Sequence, residues 1–285
     1  MIDWFIASLV QIFFVTLGWI LLKKARRSGL SNEASLAVYF VVLSLVLFVW
    51  QMIRGTFVIP SFSTLGFLFL AGILAAVSNL CIMYSFDTSP NQGLTLAVAA
   101  SQSIIILIFG VFLLSAQVSL WGGTGVLLVI AGIFTIHHKS RSSRWSGLAF
   151  LAAFLSAGYW LLILLVNTRS SLSSDVLLLY ASLPQILVFI FTRYMLLIKG
   201  NKKENTKKYF SSVLLIAGVV GAIANSASIF AATHAPNPGY ATAVGSASIL
   251  LTLCASSLLY KEKVTWKQLI GASIVVAGVI ALKLA

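Results

Sequence analysis

The sequence predicts an all-α integral membrane protein whose chain crosses the bilayer about ten times, as two five-helix repeats of opposite topology. The first observation behind this prediction is composition: 60% of the 285 residues are hydrophobic, only 9% are charged, and the mean hydropathy is +1.03. Soluble domains, in contrast, carry about 25% charged residues. The second observation is a series of long apolar blocks, and the third is an internal repeat.

The apolar blocks are long enough to cross a bilayer as helices, because a hydrocarbon core about 30 Å thick needs roughly 20 apolar residues per helix. Continuous apolar runs also argue against the short alternating strands of a membrane barrel. The predicted spans, numbered 1 to 10 in chain order, cover residues 4–22, 34–53, 65–86, 93–114, 119–137, 145–166, 175–198, 210–232, 239–259 and 266–284. The first block lacks a basic flank and a small-residue cleavage site, so it is predicted to be a retained span rather than a signal peptide.

The chain repeats itself after 146 residues, since a shift of that length aligns residues 71–133 with residues 217–279 without a gap. The identical residues include Gly72 with Gly218, Asn79 with Asn225, Pro90-Asn91 with Pro236-Asn237, Gly125 with Gly271 and Gly132 with Gly278. We therefore interpret residues 1–138 and residues 145–285 as two copies of one five-helix unit. Because five is odd, the second copy enters the membrane from the opposite side, an arrangement common in secondary transporters.

The repeated motif Pro-Asn-x-Gly precedes span 4 at residues 90–93 and span 9 at residues 236–239. Proline cannot continue the preceding helix, and asparagine can cap the next one. The motif is therefore predicted to form the hairpin between two antiparallel spans. A second interpretation gives the helix N-termini a role in contacting a carboxylate, because free amides and the helix dipole attract anions.

Each half closes with this motif, a helix of small residues, a short break and a glycine-patterned helix. The closing helix reads "VTWKQLIGASIVVAGVIAL" at residues 264–282 and "SLWGGTGVLLVIAGIF" at residues 119–134. These features resemble the EamA-type repeat of the drug/metabolite transporter superfamily. The resemblance implies two inverted EamA-type repeats that form a ten-helix carrier of amino acids, other small metabolites or drugs. It also implies a central cavity between the halves that opens alternately to the two sides.

Polar and aromatic side chains in the middle of the spans are the candidates for lining such a cavity, because polar groups are costly to expose to lipid. The candidates are Gln11 in span 1, Asn79 and Tyr84 in span 3, Ser101 and Gln102 in span 4, Tyr159 and Trp160 in span 6, Tyr180 and Gln185 in span 7, Asn225 in span 8, and Thr242 and Ser246 in span 9. Each also has a structural interpretation, since Ser and Thr commonly bond the carbonyl of residue i−4 and aromatic rings commonly fill a core. Asn79 and Asn225 recur at equivalent depth, where they either line the cavity or bond between helices.

The predicted function is transport of a small amino acid-like or drug-like metabolite across the cytoplasmic membrane by alternating access. A membrane-embedded enzyme and a non-transporting membrane subunit are the alternatives. His137, His138 and His234 have no acidic cluster beside them, which argues against an enzyme. Cys81 and Cys254 lie in apolar spans without partnering His or acidic residues, so no metal and no other cofactor is predicted. The expected partners are a small-molecule substrate and the lipid bilayer; a monomer is expected, with an oligomer left open.

The net charge of +13 comes from Lys and Arg in loops that flank the spans, so it indicates topology rather than nucleic-acid binding. Of the 19 Lys and Arg residues, 16 lie on the side of loops 1/2, 5/6, 7/8 and 9/10, and three lie on the other side. The positive-inside rule then places those loops in the cytoplasm and both termini outside, whereas better-known members of the superfamily have cytoplasmic termini. The six acids lie at or near the membrane edges, with Asp87 the nearest to the interior. Facilitated diffusion or exchange is therefore expected rather than strict proton antiport.

Overall fold

A computed structural model describes residues 3–27, 29–89, 92–137, 143–170, 172–198, 212–260 and 265–284. Its helices are α1 (Trp4–Arg27), α2 (Asn32–Arg54), α3 (Phe62–Thr88), α4 (Gln92–Ala99), α5 (Gln102–Leu114), α6 (Leu120–His137), α7 (Ser143–Arg169), α8 (Ser174–Ile198), α9 (Ser212–His234), α10 (Pro238–Ser246), α11 (Ser248–Tyr260) and α12 (Trp266–Lys283). Spans 4 and 9 consist of α4 with α5 and of α10 with α11, and every other span is one helix. Within the described ranges nine stretches are long and apolar enough to cross a membrane, and α6 adds the shorter apolar helix Leu120–Thr135. The predicted all-α multi-pass membrane fold is confirmed.

Polar residues in the short connections set where helices begin and end. The Ser31 hydroxyl accepts the Ala34 N–H at the start of α2, and Gly55, at a φ of 63°, ends the same helix in the left-handed conformation. At the start of α12, Thr265 and Gln268 each bond the other's backbone N–H. Helix ends carry unpaired backbone groups, so these caps place the start or the end of the helix close to the boundary of its apolar block.

Spans 4 and 9 are each broken in the middle, where the sequence predicted continuous helices. At the breaks the backbone forms bonds between residues i and i−3, from Ser101 N to Val98 O (3.1 Å) and from Ala247 N to Val244 O (2.9 Å). Ser101 and Ala247 are 146 residues apart, so they occupy equivalent positions of the two repeats. Sequence does not signal the breaks, because neither contains a proline and Ala and Ser are compatible with a continuous helix.

The closing helices of the two halves, α6 and α12, pack antiparallel through glycines. A Cβ atom on Gly132 would lie 2.6 Å from the Gly271 carbonyl oxygen, and one on Gly125 would lie 3.0 Å from the Gly278 carbonyl oxygen. The contacts run in reverse order along the two helices, so the helices point in opposite directions. Backbone atoms cannot swing aside as a side chain can, so glycine is required for this close approach.

The second helices of the two halves, α2 and α8, are also antiparallel. The Ser44 and Ser182 hydroxyls lie 2.6 Å apart, and Gln51 Nε2 donates to the Asp175 carbonyl (2.9 Å), so the order again reverses. Helix α3 packs on α7 and α8, while α9 packs on the equivalent helices α1 and α2. Each of these helices therefore packs against the corresponding partners in the other half, as its equivalent does. The limits assigned to the repeats, residues 1–138 and 145–285, stay a prediction.

Candidate functional site

A polar cavity of about 190 Å³ lies in the middle of the bundle. All described helices except α6 and α12 contribute to its wall. The lining residues are Gln11, Val15, Trp19, Phe40, Ala75, Ser78, Asn79, Ile82, Leu96, Ala99, Ala100, Gln102, Ser156, Tyr159, Trp160, Leu178, Gln185, Asn225, Thr242, Gly245, Ser246, Ser248 and Ile249. Both helix breaks border the cavity, which agrees with the rule that irregular backbone at membrane depth is tolerated where it is enclosed by protein or lines a cavity.

Nine of the twelve residues predicted from sequence lie in the cavity wall. They are Gln11, Asn79, Gln102, Tyr159, Trp160, Gln185, Asn225, Thr242 and Ser246. These side chains come from seven helices and converge because each lies near the middle of its span and faces the bundle interior. Their role in binding a substrate stays a prediction.

Tyr84, Ser101 and Tyr180 lie outside the cavity wall, contrary to the expectation from sequence. Tyr84 lies near the end of α3, where its hydroxyl donates to the Glu33 carboxylate. The Ser101 hydroxyl turns back to the Val98 carbonyl (2.8 Å) at the break in span 4. Tyr180 packs against the apolar core. In each case a local partner or the direction of the side chain decides the outcome, and neither is visible in sequence.

Asn79 and Gln185 join α3 to α8 through their carboxamides. Asn79 Nδ2 donates to Gln185 Oε1 (3.2 Å), and Gln185 Nε2 donates to the Ala181 carbonyl (3.2 Å). A backbone carbonyl can only accept a hydrogen bond, so the second bond fixes the orientation of the Gln185 amide and, through it, that of Asn79. Asn79 Oδ1 is left without a hydrogen-bond donor among the described residues.

Asn225, the equivalent of Asn79 in the second half, uses its amide nitrogen in the same way. Asn225 Nδ2 donates to the Gly221 carbonyl (2.8 Å) and to the Tyr39 hydroxyl (3.4 Å). The bond to a carbonyl again fixes the amide orientation. Asn225 Oδ1 therefore also lacks a donor within the described part of the chain. The interhelical and the cavity-lining interpretations both hold for these two asparagines.

Two glutamines complete the carboxamide lining. Gln11 makes no hydrogen bond with any described residue, and its amide lies against α10, where a Cβ on Gly245 would come within 2.5 Å of Gln11 Nε2. Gly245 therefore leaves the space that the Gln11 amide fills. Gln102 begins α5 beside the break in span 4, and its Oε1 is buried without a hydrogen-bond partner among the described residues.

Aromatic rings form the apolar part of the wall. Tyr159 and Trp160 lie with ring centroids 5.5 Å apart and planes 63° apart. Trp19 packs edge-on against Phe86, with centroids 5.5 Å apart. Trp19 and Phe40 also line the cavity although sequence did not predict them. The chain has 19 Phe residues, many of them exposed, so residue type alone cannot single out Phe40.

The described part of the cavity wall contains no Asp, Glu, Lys, Arg or His side chain. Its polar groups are carboxamides, hydroxyls and the indole N–H groups of two tryptophans, which can exchange hydrogen bonds with a solute but cannot neutralise a net charge. A fixed ion inside this cavity would have to lose its hydration without gaining an opposite charge from the wall.

Charged and polar residues join the ends of α1, α2 and α3 at the membrane face of loop 1/2. Arg26 forms an ion pair with Asp87, and Asn32 Nδ2 donates to Asp87 Oδ2 (2.9 Å). Beside them Tyr84 donates to Glu33, which is 2% exposed. We call these five residues the face network. Glu33 is therefore near the membrane edge, as sequence predicted, but buried, and the Asp87 carboxylate is already paired.

The second Pro-Asn-x-Gly motif forms the predicted hairpin and cap. Asn237 is fully buried; its Oδ1 accepts the Gly239 N–H (2.8 Å) and its Nδ2 donates to the Leu107 carbonyl (3.4 Å). The motif thus begins α10 and ties it to α5. Pro90 and Asn91 of the first copy lie outside the described residues. Contact of the helix N-termini with a carboxylate stays a prediction.

Comparison with known proteins places the fold in context. Residues 143–284 match the model of the EamA-like transporter family. A sequence search finds no match among curated proteins. Among solved structures, the chain is similar to one protein crystal structure with 15% sequence identity and a TM-score of 0.73, over 98% of this chain and 97% of the other. That likeness shows a shared fold across both halves.

Proposed function

The chain belongs to the EamA-like transporter family of the drug/metabolite transporter superfamily, and we propose that it carries a small amino acid-like or drug-like metabolite through the cavity between its two halves. The observation that carries the proposal is the cavity of about 190 Å³, whose polar wall is drawn from both halves. Polar side chains inside a membrane protein commonly mark a substrate path. The nine predicted residues in the wall are the proposed substrate-binding residues.

The broken spans support alternating access as the mechanism. Transporter substrate sites are commonly built near the bilayer midplane from interrupted helices contributed by two inverted repeats. Here the breaks at Ser101 and Ala247 occupy equivalent positions, and both border the cavity. Rocking the helix group α3, α7 and α8 against the group α1, α2 and α9 would open the cavity first to one side and then to the other.

The face network is the proposed closed gate on the side of loop 1/2. Arg26 and Asp87 hold α1 to α3, while Tyr84 and Glu33 hold α3 to α2. Opening that side would require these contacts to separate. Because no carboxylate lines the described cavity wall, we propose facilitated diffusion or exchange rather than obligatory proton antiport.

The proposed location is the cytoplasmic membrane, with loops 1/2, 5/6, 7/8 and 9/10 in the cytoplasm and both termini outside. The support is the distribution of Lys and Arg, with 16 of 19 on one side of the chain's predicted topology. Short basic loops are retained on the cytoplasmic side during insertion.

Uptake into liposomes tests the proposed function directly. Purified protein is reconstituted and screened with labelled amino acids, nucleosides and cationic drugs, with protein-free liposomes as the control. Saturable uptake of at least one solute above the control supports transport. If correctly folded protein moves none of them in either direction, the proposal fails and an embedded enzyme or a non-transporting subunit takes its place.

A further inference from the structure

We propose that the cavity selects net-neutral solutes that carry several N–H or O–H donors and one flat apolar face, and that it rejects both cations and anions. The proposal rests on the proposed function and specifies the substrate class of the same cavity. Three observations support it independently: the absence of charge from the described wall, the presence of unused acceptor oxygens, and the aromatic rings.

The first observation concerns net charge. The described cavity wall offers carboxamides and hydroxyls but no ionised group. A cation or an anion entering it would lose water without meeting an opposite charge, and burial of an unpaired charge is strongly unfavourable. A neutral or zwitterionic solute avoids the free-energy cost of burying a net charge. The wall therefore disfavours charged solutes of either sign relative to neutral ones.

The second observation concerns the direction of the hydrogen bonds. Asn79 and Asn225 both use their amide nitrogens within the protein, and their Oδ1 atoms have no described donor. Gln102 Oε1 is buried and also without a described donor. A buried acceptor without a donor, such as Gln102 Oε1, destabilises the protein; the two asparagine oxygens are not buried in this way. A solute that brings donors would satisfy them, whereas one that brings only acceptors would leave them unpaired.

The two asparagines come from different halves. Asn79 lies on α3 and Asn225 on α9, at positions related by the 146-residue repeat. Asn79 belongs to the helix group α3, α7 and α8, and Asn225 to the group α1, α2 and α9. When one group moves against the other, each keeps one acceptor oxygen, so a donor-rich solute can keep a hydrogen bond to at least one group throughout the change of access.

The third observation concerns shape. Trp19, Phe40, Tyr159 and Trp160 place aromatic rings in the cavity wall. Aromatic side chains pack well against flat apolar groups, with a preference for offset or edge-to-face contact. The solute class that fits both the oxygens and the rings combines a flat ring with neighbouring donors, as nucleosides and zwitterionic aromatic amino acids do.

Two matched solute series test this selectivity in liposomes. One series is adenosine, 2′,5′-dideoxyadenosine with fewer donors, cationic 5′-amino-5′-deoxyadenosine, and anionic adenosine 5′-monophosphate. The other is phenylalanine, cationic phenethylamine and anionic 3-phenylpropionate. The charged members should enter at least about ten-fold more slowly than the neutral parent of a transported series, equivalent to roughly 1.4 kcal/mol. Where adenosine is transported, the dideoxy analogue should also be slower.

The outcomes separate the selectivity proposal from the proposed function. If charged members enter as fast as their neutral parents, or if only charged drugs from the wider panel are transported, the selectivity proposal is overturned and the carrier function stands. If no solute of any class is transported, the carrier function itself fails.

A variant of Gln11 provides a second test that does not depend on the natural substrate. Gln11→Glu adds a carboxylate of nearly the same shape without removing any described hydrogen bond, so uptake of phenethylamine or 5′-amino-5′-deoxyadenosine should rise relative to the neutral parent by about ten-fold. Gln11→Met is the matched control, because it keeps the length of the side chain without its polar groups, and it should show no such gain. Because burial can raise the pKa of the new carboxyl, the preference is measured over a range of pH up to about 9. An unchanged preference in folded Gln11→Glu protein across that whole range contradicts the proposal.

Discussion

At the scale of single residues, the carboxamides divide their hydrogen-bonding groups between the protein and the cavity. Asn79 Nδ2 bonds another helix, through Gln185, whereas Asn225 bonds its own helix at Gly221 and also the Tyr39 hydroxyl. The Oδ1 atoms of both asparagines have no donor among the described residues, and in our proposal a solute supplies one. The two asparagines are thus equivalent in their cavity role but differ in how much they hold helices together.

Asn225→Leu should lower transport more than it lowers the yield of folded protein. The substitution removes the acceptor oxygen from the cavity, while the lost bonds to the Gly221 carbonyl and the Tyr39 hydroxyl are each worth only about 1 kcal/mol. We expect initial uptake per folded molecule to fall by about ten-fold, measured beside the monodisperse fraction in size-exclusion chromatography. Thr124→Val, on an exposed part of α6 where the hydroxyl bonds its own helix, is the control. A parallel loss of folded protein and of transport would instead assign Asn225 a purely structural role.

At the scale of secondary-structure elements, the α6–α12 contact depends on the absence of side chains. Gly132→Ala should destabilise the protein, because the new Cβ would lie 2.6 Å from the Gly271 carbonyl oxygen and overpacking of this kind costs about 1–3 kcal/mol. Gly123→Ala on the same helix is the matched control, since the nearest atom to its new Cβ is 3.7 Å away, on Val118. Thermal unfolding in detergent should show a lower midpoint for Gly132→Ala and an equal or higher midpoint for Gly123→Ala. Equal midpoints would mean that the helices separate at little cost.

The face network joins three helix ends, so its loss should favour opening on that side. In a background with Cys81→Ser and Cys254→Ser, Ile82→Cys places a thiol in the cavity wall as a reporter. Asp87→Asn removes the Arg26–Asp87 ion pair, while the Glu33 carboxylate still attracts Arg26. Since such a pair contributes up to about 1 kcal/mol, labelling by an impermeant maleimide from the loop 1/2 side should rise about two- to five-fold.

The charge swap Arg26→Asp with Asp87→Arg is the control for that experiment, because it restores an ion pair between the same helices. Labelling of the swapped protein should return toward the level seen with the native pair. If Asp87→Asn leaves the labelling rate unchanged, the network does not hold the gate closed.

At the scale of the whole molecule, the inverted halves are similar in packing but not in charge. The position equivalent to Asp87 in the second half is Thr233, whose hydroxyl bonds the Phe230 carbonyl (3.0 Å). On that opposite face the described contacts include the Asn237 cap and the Tyr240 hydroxyl, which accepts the Ser119 N–H (2.9 Å). The face network therefore uses charged groups, whereas these contacts on the opposite face are made by neutral groups.

The proposed orientation of the whole chain rests on its basic loops and can be tested with fusions. A reporter active only outside the cytoplasm should be active at the C-terminus, and a reporter active only in the cytoplasm should be active within loop 7/8. The physical reason is the cost of moving the clustered Lys residues of that loop across the membrane. The reverse pair of activities would overturn the assigned orientation and leave the fold unchanged.

The sequence analysis predicted the fold more completely than the site. The lengths of the apolar blocks predict the spans, and the 146-residue repeat of an odd number of spans predicts that the second half is inverted. Both features can be read along the chain without knowledge of helix packing. The break at Ser101 was not predictable, since the residues there are compatible with a continuous helix. Tyr84 lies near the end of its span, and only the tertiary structure shows that Glu33, on another helix, provides its partner.

The sequence by itself determined that this chain lies in a bilayer, that it contains the same unit twice, and that carboxamides rather than carboxylates occur at mid-depth. These properties follow from composition and periodicity, which need no knowledge of neighbours. Only the tertiary structure decided which atoms of those carboxamides remain for a solute. Asn79 Nδ2 donates to Gln185 and Asn225 Nδ2 donates to Tyr39, both on helices distant in the chain, while the Oδ1 atoms have no described donor. Such pairings depend on the packing of helices that sequence does not specify.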